Sequence, residues 1–119
     1  MDITKIKKIY MIGVKGVGMT MLAQYFCAKG VEVVGSDTDE KFMTDKALKK
    51  AGVKVIEKFD DKNIPADADL IVYSTSYNRG NNIEVKCVLG CENCTAKKHR
   101  IKVLTYAEAL GGVFNQKYG

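Results

Sequence analysis

Residues 13–18 have the composition of an anion-binding turn. They read GVKGVG, between an apolar run and a segment with helical spacing. Glycines at such a junction let the backbone turn tightly and approach a phosphate, whose charge is held by free N–H groups and the helix dipole. The dinucleotide pattern GxGxxG is interrupted, because Lys15 occupies its middle glycine position. We expect an anion site; the alternative is that the glycines only permit close strand-to-helix packing.

The same turn does not match the common triphosphate site. Gly13, Gly18 and Thr20 fit the pattern GxxxxGK[ST], but Met19 stands at the lysine position. Without that ammonium group, the turn lacks the charge with which a P-loop holds a triphosphate. We therefore predict that ATP is not the ligand of this turn.

Two further segments offer polar groups to a ligand near the turn. Asp37 follows Gly18 at the spacing at which an acidic side chain accepts hydrogen bonds from ribose hydroxyls. A helix cap or an Asx-turn is the alternative role for Asp37, and the two roles can coexist. Ser74, Thr75 and Ser76 follow an apolar run and offer hydroxyls to a ligand, or simply form a turn.

The elements that must position these residues alternate between strands and helices. Short apolar runs predict strands at 8–13, 31–35, 53–56, 69–73 and 102–104. Helical spacing predicts helices at 17–29 and 43–51, one starting near Asn82 and one after Thr105. The alternation predicts an α/β fold, a Rossmann-like three-layer domain with a five-stranded parallel sheet. Ligands of such sheets bind beyond the carboxyl ends of the strands.

Residue spacing also predicts which helix faces are buried and where the last helix begins. The apolar residues expected to form the stripe of the first helix are Val17, Met21, Leu22, Tyr25, Phe26 and Ala28. Thr105 and Glu108 have the spacing of a capping box, in which each side chain accepts a backbone N–H that the helix start leaves free.

Length and composition restrict the class of protein. A chain of 119 residues with a formal charge of +5 is one globular domain. Its apolar runs are far shorter than the roughly 18 residues that cross a bilayer, and no signal-peptide core is present, so we expect a cytoplasmic protein with reduced thiols and no membrane partner. Basic residues without interleaved aromatic residues do not indicate a nucleic-acid partner.

Four residues near the C-terminus could bind a metal ion. Cys87, Cys91, Cys94 and His99 provide enough donors for one tetrahedral zinc. The favoured alternative places the three cysteines on one face of a helix, so we expect no metal site.

The chain shows no candidate for independent catalysis. His99 is the single histidine and lies in a basic stretch, and no GxSxG turn is present. We expect a binding domain without catalytic residues of its own.

Five segments together resemble the N-terminal domain of the Mur ligase family. They read IYMIGVKGVGMTMLAQYF, GSD, DLIVYSTS, NNIE and VLTYAEALGGVFNQKYG, and they cover almost the whole chain. The resemblance implies part of an ATP-dependent, amide-forming ligase of peptidoglycan synthesis, above all of the type that adds L-alanine to UDP-N-acetylmuramate. It also implies that residues 1–119 bind UDP-N-acetylmuramate or a UDP-muramoyl peptide without catalysing. ATP and Mg²⁺ would bind a central domain outside this chain, and no cofactor would bind this domain.

The resemblance implies three groups of contacts to the UDP-sugar. Residues of the glycine turn meet the diphosphate, residues after the second strand lie near the uridine, and residues after the fourth strand line the opposite wall. In this order the implied residues are Gly16, Val17 and Gly18, then Asp37 and Thr38, then Ser74, Thr75 and Ser76. Lys15 stands where the family has glycine, and because its ammonium group could pair with phosphate directly, we include it among the binding residues.

Two other functions remain open from the sequence. A non-catalytic NAD-binding regulatory module would share the glycine turn and the acidic residue, although the interrupted GxGxxG and the STS loop favour uridine. A zinc-dependent interaction module formed by residues 87–99 could coexist with UDP-sugar binding.

Overall fold

The computed structural model describes residues 5–90 and 94–118. The strands are β1 (Lys8–Ile12), β2 (Glu32–Ser36), β3 (Lys54–Ile56), β4 (Leu70–Tyr73) and β5 (Lys102–Thr105). The α-helices are α1 (Val17–Ala28), α2 (Thr44–Ala51), α3 (Ile83–Gly90), α4 (Thr95–Lys98) and α5 (Tyr106–Tyr118), and a 3-10 helix spans Asp61–Asn63. The predicted alternation of strands and helices is confirmed.

The strands form one parallel sheet in the order β3-β2-β1-β4-β5. Every neighbouring pair is parallel, so the carboxyl ends of all five strands lie at the same edge. The chain builds outward from β1 in one direction through β2 and β3, and in the other through β4 and β5. The strand order therefore reverses between β1 and β4, which is where such sheets open a crevice for ligands.

Helices cover both faces of the sheet, as predicted for a three-layer domain. Ile9 and Met11 of β1 lie in the core on the side of α1, α2 and α5, whereas Tyr10 and Ile12 lie in the core on the side of α3 and α4. All four side chains are fully buried. Complete burial on both faces is why β1 reads as a continuous apolar run rather than an alternating one.

The buried face of α1 differs from the predicted one. Its buried residues are Met19, Thr20, Leu22, Ala23 and Phe26. Val17 and Met21 are instead 71% and 65% exposed. Apolar spacing finds a stripe of the correct period, but the contacts with the sheet decide which neighbouring residues that stripe includes.

The predicted start of the last helix is confirmed. Thr105 N–H donates to Glu108 Oε1 at 2.9 Å, and Glu108 N–H donates to Thr105 Oγ1 at 3.1 Å, which is a capping box. A capping box needs only residues that are near in sequence, so it can be predicted without the fold. Of the helices in the described ranges, none is both long and apolar enough to cross a bilayer.

Candidate functional site

Strand register brings three predicted segments to one place. Ile12, near the end of β1, pairs with Ser36 of β2 on one side and with Tyr73 of β4 on the other. Gly13, Asp37 and Ser74 each follow one of these paired residues directly. The glycine turn, the acidic residue and the STS loop therefore meet at the carboxyl edge of the sheet, where the strand order reverses.

Gly13 starts the turn in a backbone conformation that other residues rarely adopt. Its φ is +81°, and its N–H donates to the Ser36 carbonyl oxygen at 2.8 Å. A Cβ added at this position would lie 2.9 Å from Cε2 of Tyr77 and 3.0 Å from Cβ of Ser74. Both the positive φ and the close approach of the next loop require glycine here.

The start of α1 presents unpaired backbone donors. Gly16 is the N-cap, no side chain caps the helix, and the first turn contains no acidic residue. Within the described part of the chain, the N–H groups of Val17, Gly18 and Met19 have no hydrogen-bond acceptor. These groups and the positive end of the helix dipole favour a bound anion. Gly16 and Val17 are exposed, so an anion can reach them.

Asp37 has a structural role, but it is neither the helix cap nor the Asx-turn considered from the sequence. Its Oδ2 accepts the Lys15 N–H at 2.8 Å, and its Oδ1 accepts the Thr38 N–H at 2.7 Å and the Tyr77 hydroxyl at 3.4 Å. Asp37 is 4% exposed. Its carboxylate therefore ties the glycine turn to the end of β2, and it also borders the crevice described next.

A crevice of about 280 Å³ opens between these segments. It is lined by Gly13, Lys15, Gly16, Val17, Asp37, Phe42, Ser74, Ser76 and Tyr77. Six of the nine residues predicted to contact a ligand are in this set. The other three, Gly18, Thr38 and Thr75, are not in it.

Gly18 lies against the side chain of Tyr106, outside the crevice in which a diphosphate was expected. A Cβ at this position would lie 2.8 Å from Cζ and from the hydroxyl oxygen of Tyr106. Gly18 and Tyr106 belong to an apolar groove of about 240 Å³ between α1 and α5. The Gly18 side of the helix start is thus covered by an aromatic ring, whereas Gly16 and Val17 remain open to the crevice.

The ammonium group of Lys15 is not free to meet a phosphate in this arrangement. Its side chain is 2% exposed, and Nζ lies 2.7 Å from Oε2 of Glu57 and 3.2 Å from Oδ1 of Asp45. Burial alone would lower the pKa of Lys15, but the hydrogen bond to Glu57 and the contact with Asp45 outweigh it and hold that pKa above its ordinary value. The expected direct pairing of this ammonium group with phosphate therefore has no support in the geometry.

The sequence did not indicate two aromatic residues of the crevice. Phe42 lies in the loop after β2, and Tyr77 follows the STS loop. Burial and the neighbouring Asp37 carboxylate raise the pKa of the Tyr77 hydroxyl, so it stays protonated at neutral pH. The only signal available was an aromatic residue in a loop after a parallel strand, where a ligand is expected.

The cysteine segment differs from both sequence interpretations. Cys87 of α3 and Cys94, the N-cap of α4, form a disulfide with a Cα–Cα distance of 5.5 Å. The prediction of reduced thiols is therefore wrong for this pair. Cys94 has an extended backbone at the N-cap of α4, so Cys87 and Cys94 do not share one face of a continuous helix.

The disulfide also removes donors from the hypothetical zinc site. A disulfide-bonded sulfur cannot act as a thiolate ligand, so two of the four donors are lost. His99 is exposed at the end of α4, and Cys91 lies outside the described residues. Over residues 5–90 and 94–118, no group of His, Cys, Asp and Glu side chains is arranged to hold a metal ion.

Comparison with protein families identifies one match over most of the chain. The family described as "Mur ligase family, catalytic domain" matches residues 8–118. A UDP-N-acetylmuramate--L-alanine ligase of Treponema pallidum (strain Nichols) is 39% identical over 106 residues, which are 89% of this chain and 20% of that protein. A UDP-N-acetylmuramate--L-alanine ligase of Streptococcus gordonii is 38% identical over 105 residues, 87% of this chain and 21% of that protein. The chain thus spans about a fifth of the length of these curated relatives.

Solved structures show the same fold. A UDP-N-acetylmuramate:L-alanyl-gamma-D-glutamyl-meso-diaminopimelate ligase from Neisseria meningitides has a TM-score of 0.69 and 25% identity, covering 88% of this chain and 30% of that one. A pseudomurein peptide ligase type C from Methanothermus fervidus has a TM-score of 0.63 and 25% identity, covering 88% of this chain and 20% of that one.

Proposed function

Because the chain belongs to the Mur ligase family, we propose that it binds the uridine diphosphate part of a UDP-muramoyl substrate. The substrate is UDP-N-acetylmuramate or a UDP-muramoyl peptide, and the parent activity is ATP-dependent amide formation in peptidoglycan synthesis. The curated relatives named above are L-alanine ligases, which favours the alanine-adding type. The observation that carries the proposal is the uncapped start of α1, which opens into a crevice at the point where the strand order reverses.

The chemistry of the crevice suits a nucleoside diphosphate. Phosphate oxygens would accept hydrogen bonds from the free N–H groups of Val17, Gly18 and Met19, where the helix dipole favours negative charge. A ribose hydroxyl would donate to the Asp37 carboxylate at the adjacent strand end. Ser74, Thr75 and Ser76 remain the proposed opposite wall, and Thr38 remains a proposed neighbour of the uridine.

The aromatic residues of the crevice suit the base. Phe42 and Tyr77 border the crevice, together with Asp37. A uracil ring can pack against such a side chain through its π-face, which contributes about 1 kcal/mol or more per stacked base. The base would therefore lie on the Asp37 side of the glycine turn, with the diphosphate at α1.

Catalysis would need groups from outside residues 1–119. The glycine turn has Met19 where a P-loop has lysine, so we propose that ATP and Mg²⁺ bind another domain of the ligase. This chain would hold the UDP-sugar, and the muramoyl carboxylate of that substrate would react in the domain that binds ATP. A cytoplasmic location, where ATP is available, also remains a prediction.

A thermal-shift comparison tests the proposed ligand. UDP-N-acetylmuramate at about 100 times its Kd should stabilise the domain by about 2.7 kcal/mol, because it binds only the folded state. ATP at the same concentration should leave Tm unchanged. Asp37→Asn should weaken the protection, whereas Asp39→Asn, a matched change at an exposed aspartate of the same loop, should not. Equal protection by ATP and the UDP-sugar would contradict the proposal.

Titration with NADH tests the alternative function. A NAD-binding module would change the nicotinamide fluorescence of NADH on binding, whereas a uridine site would not. Saturable NADH binding that is abolished by Asp37→Asn, together with no response to the UDP-sugar, would favour the NAD-binding module.

A further inference from the structure

Lys15 connects the glycine turn to the loop after β2 and to the start of α2 through three separate atoms. Its N–H donates to Asp37 at 2.8 Å, and its carbonyl oxygen accepts the Thr44 hydroxyl at 2.6 Å. Its Nζ donates to the Glu40 carbonyl oxygen at 2.8 Å. All three partners belong to residues 37–45, which we call the 37–45 segment.

Two carboxylates hold the ammonium group of Lys15 in place. Glu57, just after β3, accepts a hydrogen bond from Nζ at 2.7 Å, and Asp45 of α2 lies 3.2 Å from the same nitrogen. Oδ1 of Asp45 is buried, and Lys15 is the cation that it contacts in the described part of the chain. Separating this buried ammonium group from its two carboxylates costs free energy, because it would leave a buried charge without a partner.

The charge of Lys15 is also neutralised locally. Glu57 accepts a second hydrogen bond, from the exposed Lys41 at 3.1 Å. The four groups Lys15, Lys41, Asp45 and Glu57 together carry no net charge. An anion in the crevice would therefore gain little attraction from Lys15, and the start of α1 must supply the positive potential.

The 37–45 segment forms the wall of the crevice on the side of Asp37 and Phe42. The Phe42 ring lies with its centroid 5.9 Å from Nζ of Lys15. Lys15 therefore borders the crevice while its charged end lies behind this wall, held by Glu57 and Asp45.

We propose that Lys15 is a positioning residue, which holds the 37–45 segment in place for the nucleoside and does not bind phosphate. The inference rests on the proposed function, since it assigns the 37–45 segment to the uridine side of that site. It predicts that removal of the ammonium group affects recognition of uridine as much as recognition of UDP.

Lys15→Met separates positioning from direct phosphate binding. We expect affinity for uridine and for UDP to fall by the same factor, roughly tenfold, because a disordered wall weakens every contact of the nucleoside. NMR titration of the 119-residue chain measures both affinities. A loss for UDP that exceeds the loss for uridine by roughly tenfold would show direct phosphate pairing and overturn the proposal.

Lys41→Met is the matched control. It removes a lysine that also contacts Glu57, but its side chain is 77% exposed and does not connect to the glycine turn. We expect both affinities to remain unchanged in this variant. Equal losses in the two variants would contradict the proposal, because they would trace the effect to Glu57 or to net charge.

Glu57→Gln keeps the test informative if Lys15→Met does not fold. The change removes one of the two carboxylates that pair with the Lys15 ammonium group, and the ammonium group itself stays. Positioning predicts weaker uridine binding in this variant, whereas direct phosphate pairing predicts unchanged or tighter UDP binding.

Hydrogen exchange separates failure of this inference from failure of the proposed function. In the absence of ligand, Lys15→Met should raise exchange of the amides in the 37–45 segment, and Lys41→Met should not. If the unmodified chain binds neither uridine nor UDP, the proposed function fails. If the exchange of these amides is the same in Lys15→Met as in the unmodified chain, Lys15 does not hold the segment and this inference fails.

Discussion

At the scale of single residues, Glu84 is the least expected side chain. It is fully buried, and no cation contacts it in the described part of the chain. Its Oε1 accepts the hydroxyls of Tyr10 at 2.6 Å and Ser36 at 2.7 Å. Its Oε2 accepts Asp60 N–H at 2.9 Å and the Asn63 amide at 3.2 Å. One carboxylate thus joins two strands to the loop that follows β3.

The protonation of Glu84 depends on two opposing effects. Burial raises the pKa of its carboxyl above the ordinary value, and the hydrogen bonds from Tyr10, Asp60 and Ser36 oppose that rise. Burial and the Glu84 charge likewise raise the pKa of Tyr10, which keeps its hydroxyl as a donor. A neutral Glu84 can carry its proton on Oε1, because a hydroxyl can also accept a hydrogen bond.

Glu84→Gln should therefore be tolerated, and Glu84→Leu should not. Glutamine can direct its carbonyl oxygen to the two N–H donors and its amide to the two hydroxyls, at a cost of about 1 kcal/mol or less. Leucine leaves buried donors without acceptors, which we expect to cost about 3 kcal/mol. Urea unfolding measures both differences. Equal destabilisation by the two changes would show that the hydrogen bonds of Glu84 contribute little.

The stability difference between the parent chain and Glu84→Gln should change with pH. The folded pKa of Glu84 lies above its ordinary value of 4.5, so its contribution is complete below that value and is lost as pH rises through the folded pKa. Glutamine does not titrate. Glu84→Gln should thus gain stability relative to the parent as pH rises above 4.5 and through the folded pKa of Glu84. Urea unfolding of both proteins over a series of pH values checks this sign.

At the scale of elements, the disulfide joins Cys87 of α3 to Cys94, the N-cap of α4. Cys87 and Cys94 are buried in the core on this side of the sheet, in the same cluster as Val88 and Ala96. Their separation in sequence is 7 residues. A crosslink of this kind restricts the unfolded chain, and a loop this short corresponds to about 2.5 kcal/mol in the chain-entropy account.

Reduction should therefore lower the Tm of the chain. We expect the free energy of unfolding to fall by about 2 kcal/mol, because reduction leaves the packing of α3 and α4 in place but removes the constraint on the unfolded chain. The double variant Cys87→Ala/Cys94→Ala should not respond to reductant. Cys27→Ala, which removes a partly exposed thiol outside the disulfide, should respond like the parent. A Tm unaffected by reductant in the parent would contradict a structural role for the bond.

At the scale of the whole molecule, surface carboxylates determine the response to acid. The hydrogen bonds from Lys15 and Lys41 lower the pKa of Glu57 below its ordinary value. The side-chain hydrogen bond from Lys8 does the same for Asp67. Groups with depressed folded pKa values contribute stability that is complete above their ordinary pKa and is lost as pH falls through the folded value.

Tm should therefore fall by a few degrees as pH decreases below the ordinary values of 4.5 for Glu57 and 3.8 for Asp67. Asp67→Asn should reduce this fall, because an amide cannot be protonated at these pH values. Asp39→Asn serves as the control, since Asp39 is an exposed aspartate. An identical acid response in Asp67→Asn and the parent would exclude the Lys8 contact as a contributor.

Much of the fold could be predicted because its signals are local. The apolar run of β1, the glycine turn and the capping box at Thr105 and Glu108 involve residues within a few positions of each other. The positions of Asp37 and Ser74 at one edge followed from the parallel sheet alone. The meeting of the glycine turn, Asp37 and Ser74 at this edge could therefore be predicted from the sequence, whereas ligand binding there stays a prediction.

The sequence alone determined the order of elements, the parallel sheet and the edge at which the turn and the acidic residue meet. Only the tertiary structure decided the direction of the Lys15 ammonium group, the pairing of Cys87 with Cys94 and the burial of Glu84. These features join residues far apart in the chain, as in the 74-residue separation of Tyr10 and Glu84. Such contacts depend on register, twist and helix orientation together, which no periodicity in one segment encodes.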